Sequence, residues 1–371
     1  MRQVAYLAVS LAALLWAATG CKEDVSPSDA PTESVSAENV SQKSVSPESV
    51  STQGASTGSV STESASTDGV SAEELLKKVE AAYEALETYK AEGTVVADID
   101  MDEMKTKQET SFSILLKKPN LYRIWWSQKM PMVPMTQEGA VWSDGTQPYL
   151  YMSATNAYSK MGSDEVALGA ATGVSGGAAM TVPSLFLADV FEQHGLSLSS
   201  RLKNPVIERI ERLEGHDCYV VGGPSVISKK ETFWISKEDH LIRKYERSLE
   251  PPEGGVQMPE MSDEDIENAL GVLGQEVTEE SKKNMKEMMD MSRQVLAERK
   301  IKGTLTEVYR EVSSPELSQD DFEYTPPPNA VLKESLFEGV FSGTGPQCTP
   351  PGGAALPKES LFGGSRTRPG E

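Results

Sequence analysis

Residues 108–128 read QETSFSILLKKPNLYRIWWSQ, and this stretch decides the fold. Two β-rich segments, 108–117 and 120–128, meet at a turn around Lys118-Pro119-Asn120. In the second, Tyr122, Ile124 and Trp126 fall on one face of a strand, and Leu121, Arg123 and Trp125 on the other. Apolar groups on both faces imply cover on both.

Outward from there the pattern recurs at 93–101, 139–143, 147–152, 156–160, 205–213, 217–222, 226–236, 240–249 and 300–312. The sequence thus predicts about eleven strands, mostly antiparallel because their connections are short. Ahead of them Ser71 and Glu74 form a capping box, and Leu75, Leu76, Val79, Tyr83 and Leu86 recur at helical spacing up to about Tyr89. Residues 163–196 carry a Gly/Ala-rich stretch leading into an apolar helix near 184–193, which includes Leu185 and Phe186. A large curved α+β sheet with helices on one face satisfies this order.

A helical insertion is expected over 251–299. Ser262-Asp263-Glu264-Asp265 starts a helix carrying Ile266, Leu270 and Leu273, which Gly274 can end. A second runs from about Glu279 to Glu298, with Met285, Met288, Met289, Ser292, Val295 and Leu296 along one stripe. Methionine suits surfaces that accept varied apolar shapes, so this face reads either as a lid for a ligand or partner, or as a hairpin docked on the sheet. Pro251-Pro252 and Gly254-Gly255 make a hinge before it.

The N-terminal segment sets the compartment. Residues 1–20 have the form of a signal peptide, with Arg2 ahead of an apolar run from Val4 to Ala18. Ala18-Thr19-Gly20-Cys21 resembles the bacterial lipobox, which implies a diacylglycerol-modified Cys21 as mature N-terminus and anchoring to a membrane at ~0.8 kcal/mol per buried CH₂. Alanine at position 18 is a departure, because leucine is commoner there. Residues 21–71 hold the lipidated cysteine and a stalk of five-residue units such as VSPES and VSTES. One small apolar side chain per unit cannot offset ordering entropy, so a disordered tether is expected, with a coil span on the order of 40 Å.

Composition narrows function. The 371 residues carry 35 Lys+Arg against 56 Asp+Glu, a formal charge of −21, which argues against a nucleic-acid partner. Three His and three Cys leave little for a metal centre, and no cofactor is expected. Asp98, Asp100, Asp102 and Glu109 have calcium-loop spacing, but Glu103 stands where that loop needs glycine. His216 and Cys218 flank Asp217, but adjacent side chains on a strand point to opposite faces. None of the three His has a locally arranged nucleophile, so no catalytic residues are assigned and the reading is not an enzyme. In an oxidising compartment Cys218 and Cys348 are free to pair. A Pro/Gly-rich tail over 336–371 is expected to be disordered, and it echoes Lys333-Glu334-Ser335-Leu336-Phe337 at Lys358–Phe362.

Lys118-Pro119-Asn120-Leu121, Ser143-Asp144-Gly145 with Tyr149 and Tyr151 beyond, and Phe322-Glu323-Tyr324-Thr325-Pro326-Pro327 together resemble the outer-membrane lipoprotein-carrier (LolA/LolB-like) superfamily over about 72–335. The resemblance implies an incomplete (half) antiparallel β-barrel enclosing or covered by helices, with an apolar cavity for acyl chains. Lys118 stands where the family typically has arginine, and a flexible ammonium is not a planar fork. The expected function is an exported, lipid-anchored protein of the bacterial envelope that binds a lipid or an acylated protein, for carriage or insertion. Its anchor would lie on the periplasmic face of the outer membrane or the outer face of the cytoplasmic membrane. Tyr122, Ile124, Trp126, Leu185, Phe186, Met285, Met288 and Met289 are the cavity or lid candidates, although core packing explains any one aromatic as well. The alternative is an envelope regulatory module that binds a protein partner; a hydrolase is third.

Overall fold

The computed structural model describes residues 69–101, 104–129, 136–191, 197–253, 262–272, 275–298 and 301–336. The signal peptide, Cys21, nearly all of the stalk, and the tail from 337 on, including Cys348, lie outside the described residues.

Helix α1 (Ala72–Ala85) opens the domain, and its capping box forms as expected, Glu74 N donating to Ser71 Oγ and Ser71 N to Glu74 Oε2. It ends four residues before the predicted limit because Thr88 and Tyr89 already belong to a strand, with Tyr89 fully buried. Six strands follow in a meander: β1 (Thr88–Met101), β2 (Met104–Lys117), β3 (Leu121–Lys129), β4 (Thr136–Asp144), β5 (Pro148–Met152) and β6 (Ala157–Lys160). Short helices α2 (Asp164–Val174), α3 (Thr181–Phe186) and α4 (Leu198–Arg201) lead to β7 (Val206–Leu213), β8 (His216–Gly223), β9 (Glu231–Ser236) and β10 (Ile242–Ser248). The insertion is α5 (Asp263–Val272) and α6 (Glu279–Glu298), followed by β11 (Ile301–Ser313) and β12 (Val331–Lys333).

All strands join one open sheet in the order β12-β6-β5-β4-β3-β2-β1-β11-β10-β9-β8-β7. Three expectations need correction. There are twelve strands rather than eleven, and the added β12 lies parallel to β6, so the sheet is mixed. The predicted strand 226–236 starts only at Glu231, because Ser225 and Ser228 close a turn before it: Ser225 N donates to Ser228 O at 2.9 Å. The single helix near 184–193 is replaced by α2, α3 and a 3-10 turn at Ala188–Phe191.

Cross-strand register arranges the inner face in rows. Ala91, Ile114, Ile124, Val141 and Leu150 form one apolar row across β1 to β5. The next runs Tyr309, Gly93, Phe112, Trp126, Gly139, Met152, with Gly93 between Tyr309 and Phe112 and Gly139 beside Trp126. These side chains share one buried cluster with Leu75, Leu76, Val79 and Tyr83 of α1, Val166 and Leu168 of α2, Phe186 of α3 and Leu198 of α4. On the outer face Trp142, Tyr151 and Ala140 make a second cluster with Tyr149, Tyr158, Trp125 and Tyr324.

Candidate functional site

The three family-like motifs converge at one corner. Asn120 Nδ2 donates to Gly145 O at 3.2 Å and to Asp164 Oδ2 at 2.9 Å, joining the β2–β3 turn to the β4–β5 turn and the start of α2. Asp144 Oδ1 accepts from Thr146 N and Gln147 N, which holds its carboxyl below the usual range, the Thr146 side chain contributing most. The segment after β11 then straps the outer face. Lys117 Nζ donates to Leu317 O, Gln319 Nε2 to Asp144 O and Arg123 Nη1 to Glu323 O at 3.0 Å. Tyr324 lands on Trp142, ring centroids 4.9 Å apart, and Trp142 stacks on Tyr149. Thus Trp125 and Arg123, on the face opposite Trp126, gain the cover that their strand pattern required.

Lys118 acts on the inner side. Its ammonium donates to the carbonyls of Tyr83 and Glu84 in the last turn of α1, where the helix dipole favours a cation. It also sits 5.3 Å from the Phe186 ring centre, so one point charge ties α1 and α3 to the β2–β3 turn. A lysine makes this tie without the planar fork.

Tyr122, Ile124 and Trp126 all face the inner cluster and are buried; Phe186 is buried there too, and Leu185 packs against it half-exposed. Tyr122 is further fixed by donating to Asp164 Oδ1 at 2.9 Å. Structure therefore brings these five together. The methionines belong elsewhere: Met285 and Met289 are buried on α6, in a hairpin with α5 that carries the Lys282–Glu267 and Lys286–Asp263 ion pairs. The Met288 side chain lies outside the description. Cys218 is buried on the outer face with Val220 and Trp234, and burial pushes its thiol up to about 11. Two surface cavities among the described residues are not lined by the predicted aromatics. One, of about 470 Å³, lies among Gln147, Lys160, Asp164, Gly271 and Leu336. The other, of about 520 Å³, lies among Glu208, Gly222, Lys230, Glu246 and Thr304.

Sequence reading missed a polar row on the inner face. Phe233, Tyr245, Glu307, Val95, Thr110 and Gln128 are successive cross-strand partners across β9, β10, β11, β1, β2 and β3. Glu307 and Gln128 are 1% exposed and Thr110 2%. Glu231, on β9 beside this row, is 0% exposed and accepts from Arg201 Nε at 2.6 Å and Tyr245 OH at 3.1 Å, and Arg201 Nη2 donates to Tyr245 OH at 2.7 Å. Desolvation opposes the Arg201 charge, but Tyr245 and Glu231 more than offset it. The loop Ser175–Met180 and Thr181 cover the row. Gly176 and Gly177 take φ of 70° and 116°, where glycine is favoured, placing the loop over Gln128, Thr110 and Glu307. Gln128 Oε1, Ser175 Oγ and Glu231 Oε1 are buried with no hydrogen-bond partner among the described residues, and Thr181 Oγ1 faces Glu307 without a well-formed bond. Buried polar atoms normally find partners, and here unpaired ones occur both in the Ser175–Thr181 cover and on the strands beneath and beside it. The signal in the sequence is Thr110, Gln128 and Glu307 interrupting alternate apolar positions of their strands, Glu307 between Leu305 and Tyr309.

No protein-family model matches the chain, and no curated protein matches it. Solved structures do. LprF from Mycobacterium bovis matches at 11% identity over 66% of this chain and 94% of that one, with a TM-score of 0.32. A putative outer membrane lipoprotein-sorting protein domain from Vibrio parahaemolyticus matches at 12% identity over 68% and 95%, TM-score 0.29. A LolA superfamily protein from Nitrosomonas europaea matches at 11% identity over 69% and 98%, TM-score 0.24. The last of these carries in its name the superfamily that the three sequence motifs resemble. At these identities and scores the likeness brings no residue role to this chain. Among the described residues no helix is long and apolar enough to cross a membrane.

Proposed function

We propose that this chain is an exported envelope lipoprotein, anchored through Cys21, that takes up an amphiphile, a lipid or the acylated end of a protein, between the sheet and helices α1–α4. The observation that carries the reading is the layering of the inner face. Rows through Tyr122, Ile124 and Trp126 are apolar, and burying acyl carbons against such a surface yields about 0.8 kcal/mol per CH₂. The row through Glu307, Thr110 and Gln128 is polar, and Gln128 Oε1 within it and Glu231 Oε1 beside it are acceptors left for the ligand's other end. Entry requires the cover to lift. That cover is in short pieces, α3 spanning Thr181–Phe186 and α4 Leu198–Arg201, with Gly176 and Gly177 before α3 and the Lys118 tie at α1.

The test is the chain from residue 22 onward, produced without its leader and purified without detergent. Native mass spectrometry with lipid extraction should find a bound lipid, and a fluorescent acyl-chain probe should bind and be displaced by it. A lipid-free protein that also ignores the probe would sink the proposal and turn attention to the protein-interaction module.

A further inference from the structure

The chain carries one short element twice. Lys333-Glu334-Ser335-Leu336-Phe337 recurs as Lys358-Glu359-Ser360-Leu361-Phe362, and each copy follows a Thr-Pro-Pro lead, at Thr325 and at Thr349. The first copy has a defined seat at the edge of the sheet. Val331 N donates to Asn156 O at 3.0 Å as β12 pairs with β6, and Asn156 Nδ2 donates to Asn329 O at 2.9 Å. Beyond the strand Leu336 is buried in the main cluster, and Ser335 Oγ accepts from Gln275 Nε2 at 2.9 Å. Leu336 lies where the sequence alone would start a disordered tail.

The copies agree and differ as these contacts require. The five residues from Lys333 on, including the buried Ser335 and Leu336, are identical in the second copy. The two before them, Val331 and Leu332, are 57% and 52% exposed, and these are replaced by Leu356 and Pro357. Proline is tolerated there. In a parallel ladder successive backbone N–H groups point to opposite sides, so with Val331 N–H directed at β6 that of Leu332 points away, and a proline in its place removes no bond to β6.

We propose that residues 356–362 are a second occupant of the β6 seat and exchange in cis with 331–337. Either copy then ends the strap. With the first seated, the chain between Tyr324 and β6 is short; with the second seated, the same anchor on Trp142 is followed by a much longer span. The seat thus accepts an extended peptide of Lys-Glu-Ser-Leu-Phe type whose leucine enters the core and whose serine meets Gln275.

Hydrogen exchange read by mass spectrometry on the chain from residue 22 onward tests this, with Leu336→Asp, Leu361→Asp and the double variant. In Leu336→Asp the second copy should take over, so amides at 356–362 gain about tenfold or more protection while those of β6 stay protected. Leu361→Asp should leave the first copy in place, and the double variant should expose β6. The proposal fails if Leu336→Asp leaves 356–362 exchanging as a free peptide with β6 unprotected. It fails equally if Leu336→Asp melts no higher than the same variant ended after Phe337, since the second copy would then have rescued nothing. Protection at 356–362 that grows with protein concentration would place the second copy in a neighbouring molecule and overturn exchange in cis.

Discussion

Glu307 Oε2 accepts a hydrogen bond from Tyr309 OH at 2.5 Å, with both side chains buried on the same strand. Burial pushes the Glu307 carboxyl up to about 7, against the opposing pull of Tyr309, Thr181, Arg201 and Arg247. The folded state therefore holds this proton more tightly than the unfolded state. Its contribution is most favourable below the ordinary carboxyl value of 4.5 and is lost as pH rises from there through about 7. Glu307→Gln should flatten that slope and raise stability above neutrality by on the order of 1–3 kcal/mol. Urea unfolding of both proteins at about pH 5 and about pH 8 checks it, and equal slopes would remove Glu307 as the source.

A β-carbon on Gly139 would lie 2.2 Å from Trp126 Cζ2, so the indole occupies the space of the missing side chain. Gly139→Ala should displace Trp126 and destabilise the domain by about 1–3 kcal/mol, with altered tryptophan fluorescence. Gly162→Ala, where nothing lies near, is the control and should be close to neutral. Similar losses from both would mean that the Trp126 contact is not the cause.

Replacing Cys21 by alanine should abolish lipidation, releasing a soluble protein into the exported compartment or leaving an unprocessed precursor. Fractionation and mass spectrometry decide this. A cleaved Cys21→Ala protein that still needs detergent would contradict the anchor.

Met289 is buried on α6, and a charge placed there without a partner costs several kcal/mol. Met289→Lys should lower the melting temperature, with acyl-probe capture lost only as the domain unfolds. Measuring both on one sample separates the cases: capture lost from a domain that stays folded would make the α5–α6 hairpin a ligand lid.

Strand and helix positions were legible because they depend on local periodicity. The capping box at Ser71, alternation through Tyr122, Ile124 and Trp126, and the α6 stripe each report a neighbourhood of a few residues. Errors came where tertiary contact overrides local preference. Tyr89 joins β1 although it continues the helical spacing of α1, because strand pairing with Leu116 buries it. Val331–Lys333 becomes a strand only because the edge of β6 is available.

What the sequence determined alone, over the described residues, is the order of elements: a capped opening helix, a run of β-rich segments, and a helical insertion ahead of the last long strand. Only the tertiary structure decided which residues meet. Glu307, Thr110 and Gln128 lie far apart in the chain on separate strands, and register across the sheet sets them in one buried row. Leu336 looks like tail until its seat appears beside Gln275 and β6. Contacts of this kind depend on strand order and long loop closures, which no local pattern encodes.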